Sequence, residues 1–229
     1  AGDEVPARGS GNSYDGPADD DWSLEVRFDI SGEGVSIILG ESAPDYPAGY
    51  WSFDEGEGTT AYDGSGNGND GALENGVQWV DGIDGGALEF DGVDDYVVVD
   101  DDSALDLSSQ ISISTWVNLD SNSGPQAIVN KDANNNGGYV LQIKDGNTDF
   151  YFHDGSSGYH CYGDSFISTD KWYLITATYD SSNVKIYVND ELDSTCTHTA
   201  SINTNNVPLY ICAYGGHSGA SGAYFSGYI

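Results

Sequence analysis

Between Gly49 and Ile229 the apolar residues keep the wrong spacing for helices. They come in short runs, many of them rich in β-branched and aromatic side chains. Tyr50–Phe53, Val77–Val80, Ala87–Phe90, Tyr96–Val99, Ile111–Leu119 and Ala127–Asn130 form a first series. Tyr139–Ile143, Asp149–His153, Tyr159–Tyr162, Trp172–Tyr179, Val184–Val188 and Leu209–Ala213 continue it. Turn dipeptides separate many of them: Asn75–Gly76, Asp81–Gly82, Asp91–Gly92, Asp145–Gly146 and Asp154–Gly155. Strand-length runs broken by residues that tolerate positive φ predict an all-β chain of antiparallel strands in two packed sheets. Asp180–Asn183 and Asn189–Asp190 read as hairpin loops. Upstream the pattern changes. Residues 1–21 are Gly, Pro, Ser and Asp with almost nothing apolar, which predicts a flexible acidic leader. Residues 22–48 form an N-terminal strand segment: Trp22, Leu24, Val26, Phe28 and Ile30 alternate with polar residues, Val35–Leu39 is a second apolar run, and Pro44 and Pro47 follow.

Charge narrows the function classes. The 229 residues hold 38 Asp plus Glu against 6 Lys plus Arg, a formal net charge of −32. Nucleic-acid binding needs clustered cations, so it is excluded, and an anionic membrane surface repels such a chain. No apolar run reaches the ~18–20 residues of a spanning helix, so membrane insertion is not expected. Three readings of the acid compete: a coating adapted to high salt, dedicated Ca²⁺ chelation, or a basic partner. The acids are spread from Asp3 to Asp193 rather than blocked in a tail, which favours a halophilic surface.

Six segments fall in one order: Gly49–Gly58 (GYWSFDEGEG), Asp63–Leu73 (DGSGNGNDGAL), Gly85–Val97 (GGALEFDGVDDYV), Ile111–Val117 (ISISTWV), Lys171–Tyr179 (KWYLITATY) and Val184–Leu192 (VKIYVNDEL). Together they resemble the laminin-G-like, concanavalin A-like jelly-roll domain over about residues 49–229. The resemblance implies a jelly-roll sandwich of two antiparallel sheets. It also implies a secreted or cell-surface module that binds glycan or surface protein, often with structural calcium. In that family F-x-G-x-I is followed by a further strand. Here Phe225, Gly227 and Ile229 match the first part and the sequence stops. A sheet position without its strand invites another segment. Ser23–Ile30 (SLEVRFDI) has the composition for it, either folded back or donated to a neighbouring molecule to give a homo-polymer. An extra edge strand remains the plain alternative.

Asp63, Ser65, Asn67, Gly68 and Glu74 stand at positions 1, 3, 5, 6 and 12 of a calcium-loop spacing, although the flanks are β-prone. Asp63, Asn67 and Asn69 are the first candidates for Ca²⁺ ligands. Asp94, in Gly92–Asp95, is a second contributor. The alternative is a Gly/Asn turn. Asp132–Gly137 carries half the spacing but puts Ile143 at position 12, so a hairpin loop is expected there.

The three cysteines allow at most one intrachain bridge. In an exported protein the expected pair is Cys161 with Cys196. Cys212 stands where the family often has Gly, which suggests a packed free thiol. For ligand binding, Phe150–Tyr162 (FYFHDGSSGYHCY) concentrates rings, and Tyr159, His160 and Tyr162 are candidates to stack on a sugar. Tyr214 and His217 form a second candidate loop. Core and strand-surface packing is the competing reading at each of these positions. Catalysis is not expected. Glu89-Phe-Asp91-Gly-Val-Asp94 is the nearest approach to the E-x-D-x-x-E of retaining glucanases, but it ends in Asp and contains a turn. The function expected is a non-catalytic, lectin-like extracellular binding or adhesion module with calcium. A filament subunit polymerising through residues 23–30 is the alternative, and a glycoside hydrolase is less favoured.

Overall fold

The protein is described from a computed structural model, which describes residues 37–40, 47–133, 136–215 and 223–229. The leader 1–21 and the segment Ser23–Ile30 lie outside the described residues, as does His217.

The chain enters through β1 (Ile37–Gly40), β2 (Gly49–Trp51), β3 (Thr60–Ala61), β4 (Gly71–Glu74), β5 (Gln78–Asp81), β6 (Gly86–Asp91) and β7 (Tyr96–Val99). A 3₁₀ turn at Ser103–Leu105 is capped by Asp102, whose side chain accepts from the Ala104 amide. Then come β8 (Ile111–Leu119), β9 (Pro125–Asn130), β10 (Gly138–Lys144), β11 (Asn147–His153) and β12 (Gly158–Phe166). The chain closes with β13 (Trp172–Tyr179), β14 (Asn183–Val188), β15 (Glu191–Thr197), β16 (Leu209–Ile211) and β17 (Ser226–Tyr228).

These strands make two antiparallel sheets, the sandwich expected from the run spacing. One has the order β15-β14-β13-β8-β17-β6-β5, with β1 beside β8 and β2 beside β1. The other has the order β12-β11-β10-β9-β16-β7-β4-β3. Period-2 burial drives both. In β8, Ile111, Ile113, Thr115, Val117 and Leu119 point inward and are buried, while the residues between them are half-buried. Leu88, Phe90, Leu141, Phe150, Phe152, Ile175 and Ile211 join them in one core.

Local chemistry fixes the turns. Asp145 and Gly146 both take positive φ between Lys144 and Asn147, and Asn189 and Asp190 do so between Val188 and Glu191. These are the two-residue hairpin turns that match strand twist. In the F-x-G-x-I end, Phe225 is buried edge-on to Phe90 at 6.3 Å, and Ile229 is buried. Gly227 sits between β6 and β8 with φ 138, where a Cβ would meet the Asn118 carbonyl oxygen at 2.1 Å. Only glycine fits there.

A piece of the 22–48 segment, β1, joins the sheet beside β8. Along one edge of β8, β17 pairs with Leu119 and Asn118, and β1 pairs with Ser114, Ile113 and Ser112. Both run antiparallel to β8, so β1 continues the line of β17. The second apolar run thus lies along this edge of β8, while Ser23–Ile30 is outside the described residues.

Two further devices tie the layers. Cys161 on β12 is bonded to Cys196 on β15, joining the edge strands of the two sheets. Cys212 is free and buried, with φ 67, which accounts for glycine being at home at that position. Burial pushes its thiol well above the ordinary range. Lys131, at the end of β9, is buried. Its ammonium donates to Asp101 Oδ1 (2.6 Å) and the Val207 carbonyl (3.0 Å), with Asp106 Oδ1 at 3.3 Å. After it, Ala133 donates to the Gly137 carbonyl, closing the β9–β10 connection as a loop.

Candidate functional site

The two-residue turn at Asp145–Gly146 sets Gln142 of β10 opposite Asp149 of β11. Across the next interface Asp149 faces Tyr162 and Tyr151 faces His160. Alternation then puts Gln142, Asp149, Tyr151, His153, His160 and Tyr162 on the sheet face away from the core. Such a face ordinarily meets water, yet Asp149 is fully buried, and Gln142, Tyr151 and His153 nearly so. They cover one another, and Tyr214 closes over them from beyond β16.

The polar groups form one chain. Tyr151 OH donates to Tyr214 OH (2.8 Å), and Tyr214 OH donates to Gln142 Oε1 (2.8 Å). Gln142 Nε2 donates to Asp149 Oδ2 (2.7 Å), and His160 Nδ1 lies 3.1 Å from Asp149 Oδ1. A carboxylate only accepts, so His160 carries a proton on Nδ1. Burial pushes the Tyr214 phenol up to about 12, and burial followed by the neighbouring Tyr214 pushes Tyr151 higher still. Both phenols therefore remain donors at neutral pH.

The rings are ordered in the same way. His160 is stacked between Tyr151 (centroids 4.6 Å, 29°) and Tyr162 (5.5 Å, 6°). Tyr162 is 49% exposed and presents the outer ring of the stack. A cavity of about 270 Å³ lies here, lined by Pro125, Gln142, Lys144, Tyr151, His153, His160 and Tyr214. The arrangement offers an aromatic plane beside fixed donors and acceptors, the elements that hold a polyhydroxylated ligand.

Among the sequence candidates, the structure brings together His160, Tyr162 and Tyr214. Tyr159 goes to the opposite face of β12. Its ring stacks on Phe152 at 5.3 Å, and its hydroxyl donates to Asp154. Gln142, Asp149 and Lys144 were not among the candidates, although a lone Gln or Asp inside an apolar strand run was a visible signal.

The metal candidates separate. Asp63 is saturated: Oδ1 accepts from the Tyr50 and Ser65 amides, and Oδ2 from Ser65 Oγ and the Asn69 amide. Burial raises its pKa, but the bonds from Ser65, Asn69 and Tyr50 outweigh it, and the net shift is downward. Asn67 donates to the Pro47 and Ala48 carbonyls, and Asn69 to the Ala48 carbonyl. The loop is thus a turn that anchors the start of β2, and both carboxylate oxygens of Asp63 are engaged within it. Asp94 instead joins Asp91 and Asp95, with one ligand atom from each within 4.8 Å of the others. Burial first, then the charges of Asp91, Asp94 and Glu89, raise Asp95. Glu89 and Asp91 lie on β6 and Asp94 in the turn beyond it, so the three do not share a strand.

Comparison with known proteins matches this architecture. No match is found among curated protein sequences. Domain 4 of AbnA, a GH43 extracellular arabinanase from Geobacillus stearothermophilus, solved with arabinotriose, is similar at TM-score 0.64 and 21% identity, covering 84% of this chain and 89% of that one. The binding domain of botulinum neurotoxin DC, in complex with rat synaptotagmin II, is similar at TM-score 0.56 and 21% identity, covering 68% of this chain and 41% of that one. A botulinum neurotoxin type C structure, whose cell entry depends on two ganglioside molecules, gives TM-score 0.55 and 22% identity, over 68% of this chain and 40% of the other. The chain therefore spans about two fifths of the toxin structures it resembles. At these identities the likeness speaks for the fold. The sequence itself speaks for the family, because the laminin-G model described as the concanavalin A-like lectin/glucanases superfamily matches residues 91–229, from the end of β6 through the F-x-G-x-I close, and the chain belongs to that superfamily.

Proposed function

We propose that the β10–β11–β12 face binds a neutral sugar residue and that the domain is a non-catalytic binding module of an extracellular or cell-surface protein. The observation that carries the reading is the chain from Tyr151 through Tyr214 and Gln142 to Asp149 and His160, set beneath the exposed Tyr162 ring. Donors and acceptors fixed beforehand suit sugar hydroxyls, and a ring face suits the apolar side of a pyranose or furanose. A charge of −32 with one lysine at the cavity disfavours uronates and sialylated glycans. The arabinotriose-bound arabinanase domain and the toxin binding domains support a binding role. Hydrolysis is disfavoured because a glycosidase needs two carboxyl groups flanking the bond, and none of the cavity-lining residues is a carboxylic acid. The Cys161–Cys196 bridge favours an oxidising compartment.

For calcium, three hard carboxylates at Asp91, Asp94 and Asp95 fit the ion's preference, and a cation there would relieve the like charges around Asp95. Asp63 is less suited to the ion, since both of its oxygens already accept hydrogen bonds.

The test is a glycan array followed by titration calorimetry in about 1 M KCl, where charge repulsion is screened to ~3 Å. Binding of neutral oligosaccharides, with no cleavage products, is expected. Exclusive binding of uronates, or no glycan bound at all, refutes the reading.

A further inference from the structure

On the sheet opposite the sugar face, one row of side chains crosses four adjacent strands. Trp172 of β13 is opposite Asn118 of β8, Asn118 is opposite Tyr228 of β17, and Tyr228 is opposite Glu89 of β6. Directly opposed residues share a face. Asn118 stands between the inward-pointing Val117 and Leu119, and Glu89 between the buried Leu88 and Phe90, so this face looks away from the core. Leu174 and Trp116, opposite each other two residues along, extend it. All of these side chains are half-buried.

The row combines rings, an idle acceptor and carboxylates. The Trp172 and Tyr228 ring centroids are 6.3 Å apart with the planes tilted by 51°, so the two rings flank Asn118 without stacking on each other. Asn118 Oδ1 is buried and accepts no hydrogen bond among the described residues. A buried acceptor in that state favours a ligand that brings an N–H or O–H donor. The Tyr228 hydroxyl donates to Glu89 Oε1 (3.3 Å). Asp120, just after β8, and Asp170, just before β13, add their charges. Asp120 and Glu89 first, with Asp170 contributing, push the Tyr228 phenol up, and burial followed by Glu89 and Asp170 raises Asp120.

Ring faces and carboxylates attract the same kind of group, a cation. A quaternary ammonium has no N–H to give Asn118. A lysine ammonium is strongly hydrated and has no plane to lay on a ring. A guanidinium is planar and weakly hydrated, and it donates at its edge while it stacks. The apolar ground at Leu174 and Trp116 favours a polypeptide over a free small cation. A second copy is a poor occupant, because each chain carries −32 and has only the arginines Arg8 and Arg27.

We propose that this face docks a partner protein through one arginine, its guanidinium against the Trp172 and Tyr228 rings and its N–H groups directed to Asn118 Oδ1, Asp120 and Asp170. The surface stands apart from the sugar reading, since β6, β8, β13 and β17 belong to the other sheet. It shares no residue with the cluster of Asp91, Asp94 and Asp95.

The test is a magnetic-resonance titration of the full chain with isotope-labelled indoles at about 1 M KCl, where diffuse attraction to the acids is screened beyond ~3 Å. The first probe is N-acetyl-arginine N-methylamide. A saturating shift of the Trp172 indole, assigned with Trp172→Phe, is expected. Trp51 and Trp79 should not move, because their indoles donate to the Asn69 and Gly58 carbonyls. Asp120→Asn and Asp170→Asn remove charge and keep shape, and each should weaken binding roughly 2–5-fold with melting unchanged. The lysine analogue should bind roughly threefold or more weakly. A tripeptide with leucine beside arginine should bind more tightly than the arginine analogue and also shift the Trp116 indole. Equal affinity for the arginine and lysine analogues would reduce the face to diffuse charge and overturn the proposal. A Trp172 shift from the uncharged citrulline analogue or from a neutral oligosaccharide does the same. No gain from the tripeptide would make a free small cation the ligand, and tighter binding in Arg27→Gln would put the chain's own arginine on the face; either result refutes docking of a partner.

Discussion

Two tyrosines three residues apart on β12 should fail in opposite ways when removed. Tyr162 lies on the face proposed for sugar and Tyr159 lies on the core side, stacked on Phe152 with His198 at 5.4 Å. In Tyr162→Ala the lost ring is already half exposed, so stability changes by less than about 1 kcal/mol. Its effect on binding is larger. A sugar covering one ring face removes roughly 50 Å² of apolar surface, worth about 1.2 kcal/mol at ~25 cal/mol/Å². Stacking geometry adds about 1 kcal/mol. Together these give about 2 kcal/mol, or roughly 30-fold in Kd. Tyr159→Ala removes a packed ring and the bond to Asp154, costing about 2–4 kcal/mol of stability. For a chain of this size that is a fall in Tm of roughly 6–12 °C. Its sugar affinity, measured well below Tm, stays within about twofold, since the ring never reaches the binding face. Calorimetric titration with a neutral oligosaccharide and thermal melting read both variants. Unchanged affinity in Tyr162→Ala, or equal losses of affinity in the two, would show that the face is not the site.

Other perturbations have definite signs. Reducing Cys161–Cys196, which closes a separation of 35 residues, costs about 4 kcal/mol by the chain-entropy relation and lowers Tm by roughly 10 °C; a smaller shift than that for Cys212→Ser would contradict the stapling of sheet edges. Lys131→Met leaves Asp101 and Asp106 without their cation, but both are partly exposed and rehydrate, so the expected loss is about 2–3 kcal/mol in urea unfolding rather than the larger value of a fully buried pair. Ca²⁺ should raise Tm in the native chain and in Asp63→Ala, and fail to do so in Asp94→Asn. Asp63→Ala should lose about 1–3 kcal/mol with or without the ion, because its four accepted bonds are structural. A calcium response lost only in Asp63→Ala would return the ion to that loop.

Much of this was legible from residue order, and the exceptions have physical causes. The inward set of β8 follows from period 2 alone. The partner of Gln142 also follows from the sequence: a two-residue turn at Asp145–Gly146 forces position 142 opposite 149. Period 2 likewise forbids Tyr159 and Tyr162 from sharing a face. The contact of His160 with Asp149 was less visible, because the two are diagonal neighbours: Asp149 stands opposite Tyr162 and His160 opposite Tyr151. The Asp63 loop was ambiguous for a different reason. Asx turns and calcium loops use the same residues, and the deciding partners, the Tyr50 amide that donates to Asp63 and the Pro47 and Ala48 carbonyls that accept from Asn67 and Asn69, lie far away in sequence. The place of β1 depends on pairing with Ser112–Ser114 of β8, far away in sequence, which local composition does not encode.

The acid surface is more specific than a coating, and its pH response shows how. Aspartate outnumbers glutamate 29 to 9. Many aspartates accept from a backbone amide two or three residues on: Asp91 from Val93, Asp102 from Ala104, Asp154 from Ser156 and Ser157, and Asp180 from Ser182 and Asn183. Glutamate is one methylene too long for these turns, which accounts for the bias without reference to salt. Two opposite contributions then follow. Bonds from Ser157 and Ser156 hold Asp154 below the ordinary range, and Asp63 is also lowered. Their stabilisation is present above the unfolded pKa of ~3.9 and is lost as pH falls through the folded values. Asp95 and Asp120 are raised, chiefly by burial and then by neighbouring acids, so what they contribute is present below ~3.9 and lost as pH rises through their folded values. Long-range repulsion among the acids acts in the second direction and is screened by salt, whereas acceptance of a backbone amide is short-range and is not. In dilute buffer the two oppose each other, and Tm should pass through a maximum in the mildly acidic range. At about 1 M KCl, with a screening length of ~3 Å, repulsion drops out, and Tm should be higher at neutral pH and decline steadily below about pH 4. Melting curves across pH at the two salt concentrations separate the contributions. A Tm that keeps rising down to pH 3 in high salt would mean that the aspartates are charge alone and that the turns stand without them.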